Sequence, residues 1–195
     1  MNNKIFKANG NPSTSGHFGW QGDDKMLLFY GLKEGYKNSA DKLVDIALED
    51  GGAITLDTFV FPIAFLYRHY IEIEIKRLYY YVFGKFPKQS HNLQELFNIL
   101  KIDILDKSET ILNLIKHNPE IISEIKSIIS EFHEMDEKGD VFKYLTDKNY
   151  KPYFEEFEYI NYPQIKESID KIYNFFSYIV YIPIEDLGIF DNLKK

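Results

Sequence analysis

A chain of 195 residues with 45% hydrophobic and 16% aromatic side chains is long enough to bury one real core, and its composition is globular rather than disordered. The formal net charge of −7 works against general attraction to a polyanion while leaving a local basic site open, and the absence of cysteine removes disulfides, thiolate nucleophiles and cysteine-based metal sites. The amino terminus lacks the apolar run of a secretion signal, and no later stretch approaches the roughly 20 apolar residues of a membrane span. The expectation is a soluble, cytoplasmic protein with no membrane partner.

Residues 1–23 set Gly10, Pro12, Gly16, Gly19 and Gly22 among Asn, Ser and Thr, and read as an irregular arm that His17, Phe18 and Trp20 could anchor. From about Asp24 to Leu48 apolar residues recur at helical spacing, with Asp23 or Asp24 as N-cap, Gly31 and Gly35 weakening the early part, and Gly51-Gly52 as the stop. A second helix is expected from near Leu56-Asp57 to about Val82, closed by Gly84 and Pro87, with Pro62 either a tolerated kink or a second start. Asn92 followed by Glu95 has capping-box spacing and opens a third helix to about Leu100 or Leu105. A fourth follows Asn118-Pro119 and stops by Gly139; a short hairpin or structured loop lies between Asp140 and Tyr162; a fifth runs from Pro163 until Pro183 ends it. The fold class is therefore all-α, a bundle of about five helices with a short extended excursion near 140–160, organised as an arm (1–23), one domain (24–184) and a tail (185–195).

The second helix is the stretch on which the rest is organised. With Arg68 at 0°, Glu72 falls near 40°, Lys76 near 80° and His69 near 100°, one polar wedge between apolar flanks. Buried charges need partners, so an Arg68/Glu72 contact at i, i+4 is expected, with His69 beside it. Lysine supplies nearly all of the 23 basic residues; the two arginines, Arg68 and Arg77, both lie on this helix, where a planar, multi-donor cation is hardest to replace. The alternatives for the wedge are a buried structural pair and a functional site. His91 is expected at the N-terminal end of the third helix, where backbone N–H groups favour an anion. Against one compact site, Arg68 stands ~20 Å along the helix from Gly84, so His91 reaches it only if the connection folds back.

Familiar catalytic signatures are mostly missing: no glycine-rich phosphate loop, no dinucleotide fingerprint, no His-Glu-x-x-His pair and no Gly-x-Ser-x-Gly turn. His133 and Glu134 with Asp136 nearby lack a second histidine at ligand spacing and read as a solvated helix end. Glu155, Glu156 and Glu158 read as a surface charge run. No metal site and no cofactor are expected.

The run from Phe65 to Lys76, which includes Leu66, Tyr67, Arg68, His69 and Glu72, is followed by His91-Asn92-Leu93 and later by Phe142-Lys143-Tyr144 with Asp147. Together these resemble small bacterial HEPN-like proteins, over roughly residues 24 to 180. The resemblance implies a helical bundle, often a homodimer, with roles in antiviral defence, toxin–antitoxin pairs or RNA processing. Many such proteins are metal-independent ribonucleases that use an Arg, four to six residues, then a His. No histidine falls at that spacing from Arg68 or Arg77, and Lys143 stands where the relatives have arginine. The residues that match are Arg68, His69, Glu72 and His91, with Asn92, Lys143 and Tyr144 as further binding candidates.

Three readings follow. In the first, the chain is a catalytically degenerate component of a defence or toxin–antitoxin system that binds a nucleotide, RNA or a protein partner. In the second, it is a metal-independent ribonuclease in which His69 or His91 is the general base and Arg68 stabilises phosphoryl charge. In the third, it is a purely structural interaction protein.

Overall fold

In the computed structural model, which describes residues 11, 13–88, 90–144, 146–154, 159–188 and 190, the chain is an all-α bundle. The acidic run at Glu155, Glu156 and Glu158, the first ten residues and Pro12 of the arm, and the last five residues lie outside the described residues.

Helices α1 (Lys25–Asp50) and α2 (Ala53–Phe83) are joined by Gly51-Gly52 and form a long αα-hairpin. The Asp24 carboxylate accepts from Leu27 N–H at 3.0 Å to start α1, and Gly51 ends it at φ 62°, a left-handed value suited to glycine. The hairpin is antiparallel: Tyr67 donates to Asp41 at 2.7 Å at one level and Lys33 faces Glu74 at 3.8 Å at another. Helix α2 begins at Ala53, a turn earlier than its sequence suggests, and continues through Pro62. Pro62 and Thr58 are both exposed, so the carbonyl that Pro62 cannot serve has access to water. Residues 71–75 are all buried, more than one full turn, which makes α2 the central rod rather than a helix with one covered face.

The remaining elements wrap this rod. Helix α3 (Leu93–Asp103) packs on α2 and on α5 (Ile121–Met135), and a 3₁₀ turn (Leu105–Lys107) leads into α4 (Glu109–His117). Helix α4 is additional to the expected helices; Ser108 caps it, and of its nine residues Ile111 alone is fully buried, although Ile111, Leu112, Leu114 and Ile115 recur at helical spacing. Helix α6 (Tyr162–Asn174) packs on α1 and α5, then widens into a π-helical segment (Phe175–Tyr181) and continues as α7 (Ile182–Leu187).

The helix therefore does not stop at Pro183. Ile182 N–H reaches back five residues to Ser177 O, and the wider π turn moves the carbonyl against which a proline ring ordinarily clashes. Among the described residues, the excursion near 140–160 holds one antiparallel bridge, Thr146 with Pro152, around a turn in which Asp147 accepts from the Asn149 and Lys151 N–H groups. One apolar cluster runs through the bundle from Ala40 to Phe190. No described helix is long and apolar enough to cross a membrane.

Candidate functional site

The Arg68/Glu72 contact is made: Nη1 donates to Glu72 Oε2 at 3.1 Å, one turn along α2. The guanidinium is 3% exposed, so its other donors must also find partners inside the protein. Nη2 donates to the His91 carbonyl at 2.7 Å, and Nε to the Asp136 carbonyl at 3.0 Å. Asp136 Oδ2 lies 3.2 Å from the same Nε at ion-pair range, without a hydrogen bond of its own. Arg68 thus ties α2 to the entry of α3 and to the exit of α5.

Asp136 was expected on a solvated helix end, and the structure corrects this. The residue is buried, and its Oδ1 accepts the Asp140 and Val141 N–H groups at 2.8 and 3.2 Å, which fixes the loop that follows α5. Gly139, also buried, lies in that loop against the guanidinium. His133 turns a buried Nδ1 into the interior, and among the described residues no group of three or more His, Cys, Asp or Glu is arranged to hold a metal.

The connection from α2 to α3 does fold back, which removes the distance objection to His91. Its carbonyl meets Arg68, and its Nδ1 lies 2.9 Å from Glu72 Oε1, an oxygen that also accepts from Lys76 Nζ at 2.7 Å. A carboxylate at that distance calls for a proton on Nδ1. The His91 side chain is 67% exposed, so an accessible imidazole is held at both backbone and ring by one i, i+4 pair. Burial pushes the Glu72 carboxyl up, but hydrogen bonding and charge from Lys76, then His91 and Arg68, outweigh it and hold the pKa below the ordinary value.

The other candidates divide. Asn92 is the N-cap of α3: its side chain accepts from Glu95 N–H at 2.9 Å. The return arm of the capping box runs through Ser90, which accepts from Asn92 N–H and donates to Glu95 Oε2. His69 leaves the wedge and packs against aromatics, stacked on Phe65 at 5.6 Å and edge-on to Tyr36 at 4.6 Å. Burial lowers its pKa below the usual histidine value; Glu72 opposes this, and Arg68, Lys76 and Lys143 add to it. Lys143 and Tyr144 are exposed on the loop that Asp136 anchors, with Lys143 Nζ 3.3 Å from Asp140.

A second ionic node on α2 was not anticipated. Arg77 donates from Nε and Nη2 to the two oxygens of Glu74, both at 2.7 Å, and its guanidinium lies 4.3 Å from the centre of the Tyr181 ring. The available signal was the second of the two arginines, three residues after a glutamate. No family model, curated protein or solved structure matches the chain.

Proposed function

We propose that this chain is a HEPN-like helical-bundle protein that binds an RNA end or a nucleotide through His91, in a bacterial defence or toxin–antitoxin setting. One observation supports this reading above the others. Long or exposed polar side chains ordinarily keep their rotamer freedom, yet His91 is accessible and held at two points by Arg68 and Glu72. Preorganisation of an exposed donor or acceptor is what recognition of a phosphate, ribose hydroxyl or base edge requires. Lys76 beside it, and Lys143 with Tyr144 on the neighbouring loop, supply the charge and ring surface that a nucleotide uses. Arg68 is a positioning residue in this scheme, because its guanidinium is enclosed by protein groups.

The carboxylate–imidazole pair also favours a second reading, metal-independent cleavage with His91 Nε2 as general base. A buried carboxylate that fixes the tautomer of an imidazole is the arrangement by which a histidine accepts a proton from a hydroxyl nucleophile. Arg68 cannot reach a substrate from its position, so Lys76 is the nearest cation for phosphoryl charge.

Both readings are tested by incubating the full chain with labelled single-stranded RNA in EDTA and following anisotropy and strand length, alongside His91→Ala and Lys143→Ala. Binding that weakens in His91→Ala, with an unchanged melt, supports the first reading. Cleavage that survives EDTA and vanishes in His91→Ala supports the second. A wild type that neither binds nor cleaves overturns both.

A further inference from the structure

On another side of α2, the first turns of α1 and the π segment enclose a cleft of about 490 Å³, within the range of small-molecule sites. Its inner wall holds two cations that are almost fully buried, Lys33 at 5% exposure and Arg77 at 4%. Arg77 spends Nε and Nη2 on Glu74, and its Nη1 has no hydrogen-bond partner among the described residues. The Lys33 ammonium lies 3.3 Å from Glu34 Oε1 and 3.8 Å from Glu74 Oε2, and makes no hydrogen bond among the described residues.

Ammonium and guanidinium N–H groups at the wall of a cleft favour an acceptor there over an apolar neighbour. The Tyr70 hydroxyl, fully buried in the field of Glu74, Tyr173, Glu34 and Arg77, also has no hydrogen-bond partner among the described residues but does not line the cleft. Lys33 Nζ, held by ion pairs alone, and Arg77 Nη1 keep donor capacity at the wall of the cleft, which sets the polarity of anything that would complete the site.

The rings around the cleft narrow the choice. Lys33 lies over Tyr173 at 4.9 Å and over Tyr30 at 5.9 Å, and Arg77 over Tyr181, so the faces that would receive a cationic ligand already carry the protein's own cations. Of the acids nearby, Glu74 is taken by Arg77, Glu34 serves Lys33 and Tyr173, and Asp24 caps α1. The rest of the lining is apolar or aromatic: Met26, Leu27, Tyr178 and Ile182. Ser177, Tyr178 and Tyr181 all come from the π segment, and such widened turns recur at functional sites.

We propose that this cleft binds a small oxyanion, a carboxylate or a phosphate monoester, attached to an aromatic or apolar body. The anionic group accepts from Lys33 Nζ and Arg77 Nη1, and the body lies along Leu27, Tyr178 and Ile182. The inference is independent of the His91 site, which lies at the other node of α2.

The test is calorimetric titration of the full chain with phenyl phosphate, benzoate, inorganic phosphate and benzylamine at millimolar concentrations, the range expected of such small ligands. Amide chemical-shift mapping locates any binding. Saturable binding of phenyl phosphate or benzoate, with shifts at Leu27, Lys33 and Tyr178 and none at His91, supports the site, and the tighter of the two identifies the oxyanion. Lys33→Met is expected to weaken it about tenfold or more, and Leu27→Trp, a change at the half-exposed rim that leaves the buried ion pairs intact, to block it. If Lys33→Met does not fold, Leu27→Trp decides. Binding of benzylamine in preference to the anions, shifts outside the cleft, binding indifferent to the variants, or no binding of any anion overturns the proposal.

Discussion

The guanidinium of Arg68 lies against Gly139: a Cβ placed on Gly139 would stand 3.0 Å from Nη1 and 3.2 Å from Cζ. Gly139 also has φ +78°, where an L side chain is strained. Gly139→Ala therefore combines a backbone cost with displacement of the cation that holds α2, α3 and α5 together. Gly84→Ala is the control, since Gly84 has φ +64° and nothing within 4 Å. In urea melts Gly84→Ala is expected to cost about 1 kcal/mol and Gly139→Ala at least about 2 kcal/mol, with unchanged m-values. Equal losses would show that Arg68 yields to the methyl group without consequence.

Glu72 balances Arg68, Lys76 and His91 at once, so its removal strips the buried guanidinium of one of its two carboxylates and takes from Lys76 and His91 the oxygen they share. Glu72→Ala is expected to lose about 3–5 kcal/mol in a denaturant melt. Lys88→Ala, which breaks an exposed pair with Glu95, is expected to lose less than about 1 kcal/mol. A small loss at Glu72 would mean that the network is wet in solution.

Acid sensitivity should come in two stages. Burial lowers His69 below its ordinary value of 6.5, so below that pH the unfolded chain binds a proton that the native state resists. Glu72 is likewise held below its ordinary 4.5, by Lys76, His91 and Arg68 against the upward push of burial. Both contributions are fully present above the unfolded values and are lost as pH falls through the folded ones. Stability measured against pH should thus begin to fall near 6.5 and fall again below 4.5. His69→Phe should flatten the first stage and leave the second, and a profile unchanged by it would remove His69 from the account.

Much of this architecture was legible in the chain. Helices α1, α2, α5 and α6 have apolar residues at helical spacing, and the caps of α1 at Asp24 and of α3 at Asn92 and the stops of α1 and α2 at Gly51 and Gly84 stand where the local chemistry requires. The Arg68/Glu72 pair followed from i, i+4 geometry alone. What could not be read were partners set by the path of loops. The return of His91 to Arg68, and the anchoring of Arg68 by Asp136, depend on segments with no period. Lysines ordinarily stay outside, so the burial of Lys33 and Lys37 shows only once Glu74, Asp41 and Asp170 face them. Helix α4 did carry a legible signal, Ser108 as cap and Ile111, Leu112, Leu114 and Ile115 at helical spacing, and was missed because it is short, whereas the passage through Pro183 needed the π turn.

Gly31, expected to weaken α1 as Gly35 does, has a neighbour that Gly35 lacks. A Cβ at Gly31 would stand 2.5 Å from Cζ2 of Trp20, so the helix is bare at this position where the arm's indole rests on it. Gly35, one turn on, has nothing within 4 Å. Replacing an exposed helical glycine by alanine ordinarily stabilises by about 1 kcal/mol, and Gly35→Ala is expected to do so. Gly31→Ala must first move the ring, so its gain should be smaller or negative. Trp20 is the one tryptophan of the chain and is 51% exposed in its seat. Its fluorescence should shift to the red in Gly31→Ala and stay unchanged in Gly35→Ala. Identical emission in both variants, with equal gains in stability, would show that the arm does not rest on α1 in solution.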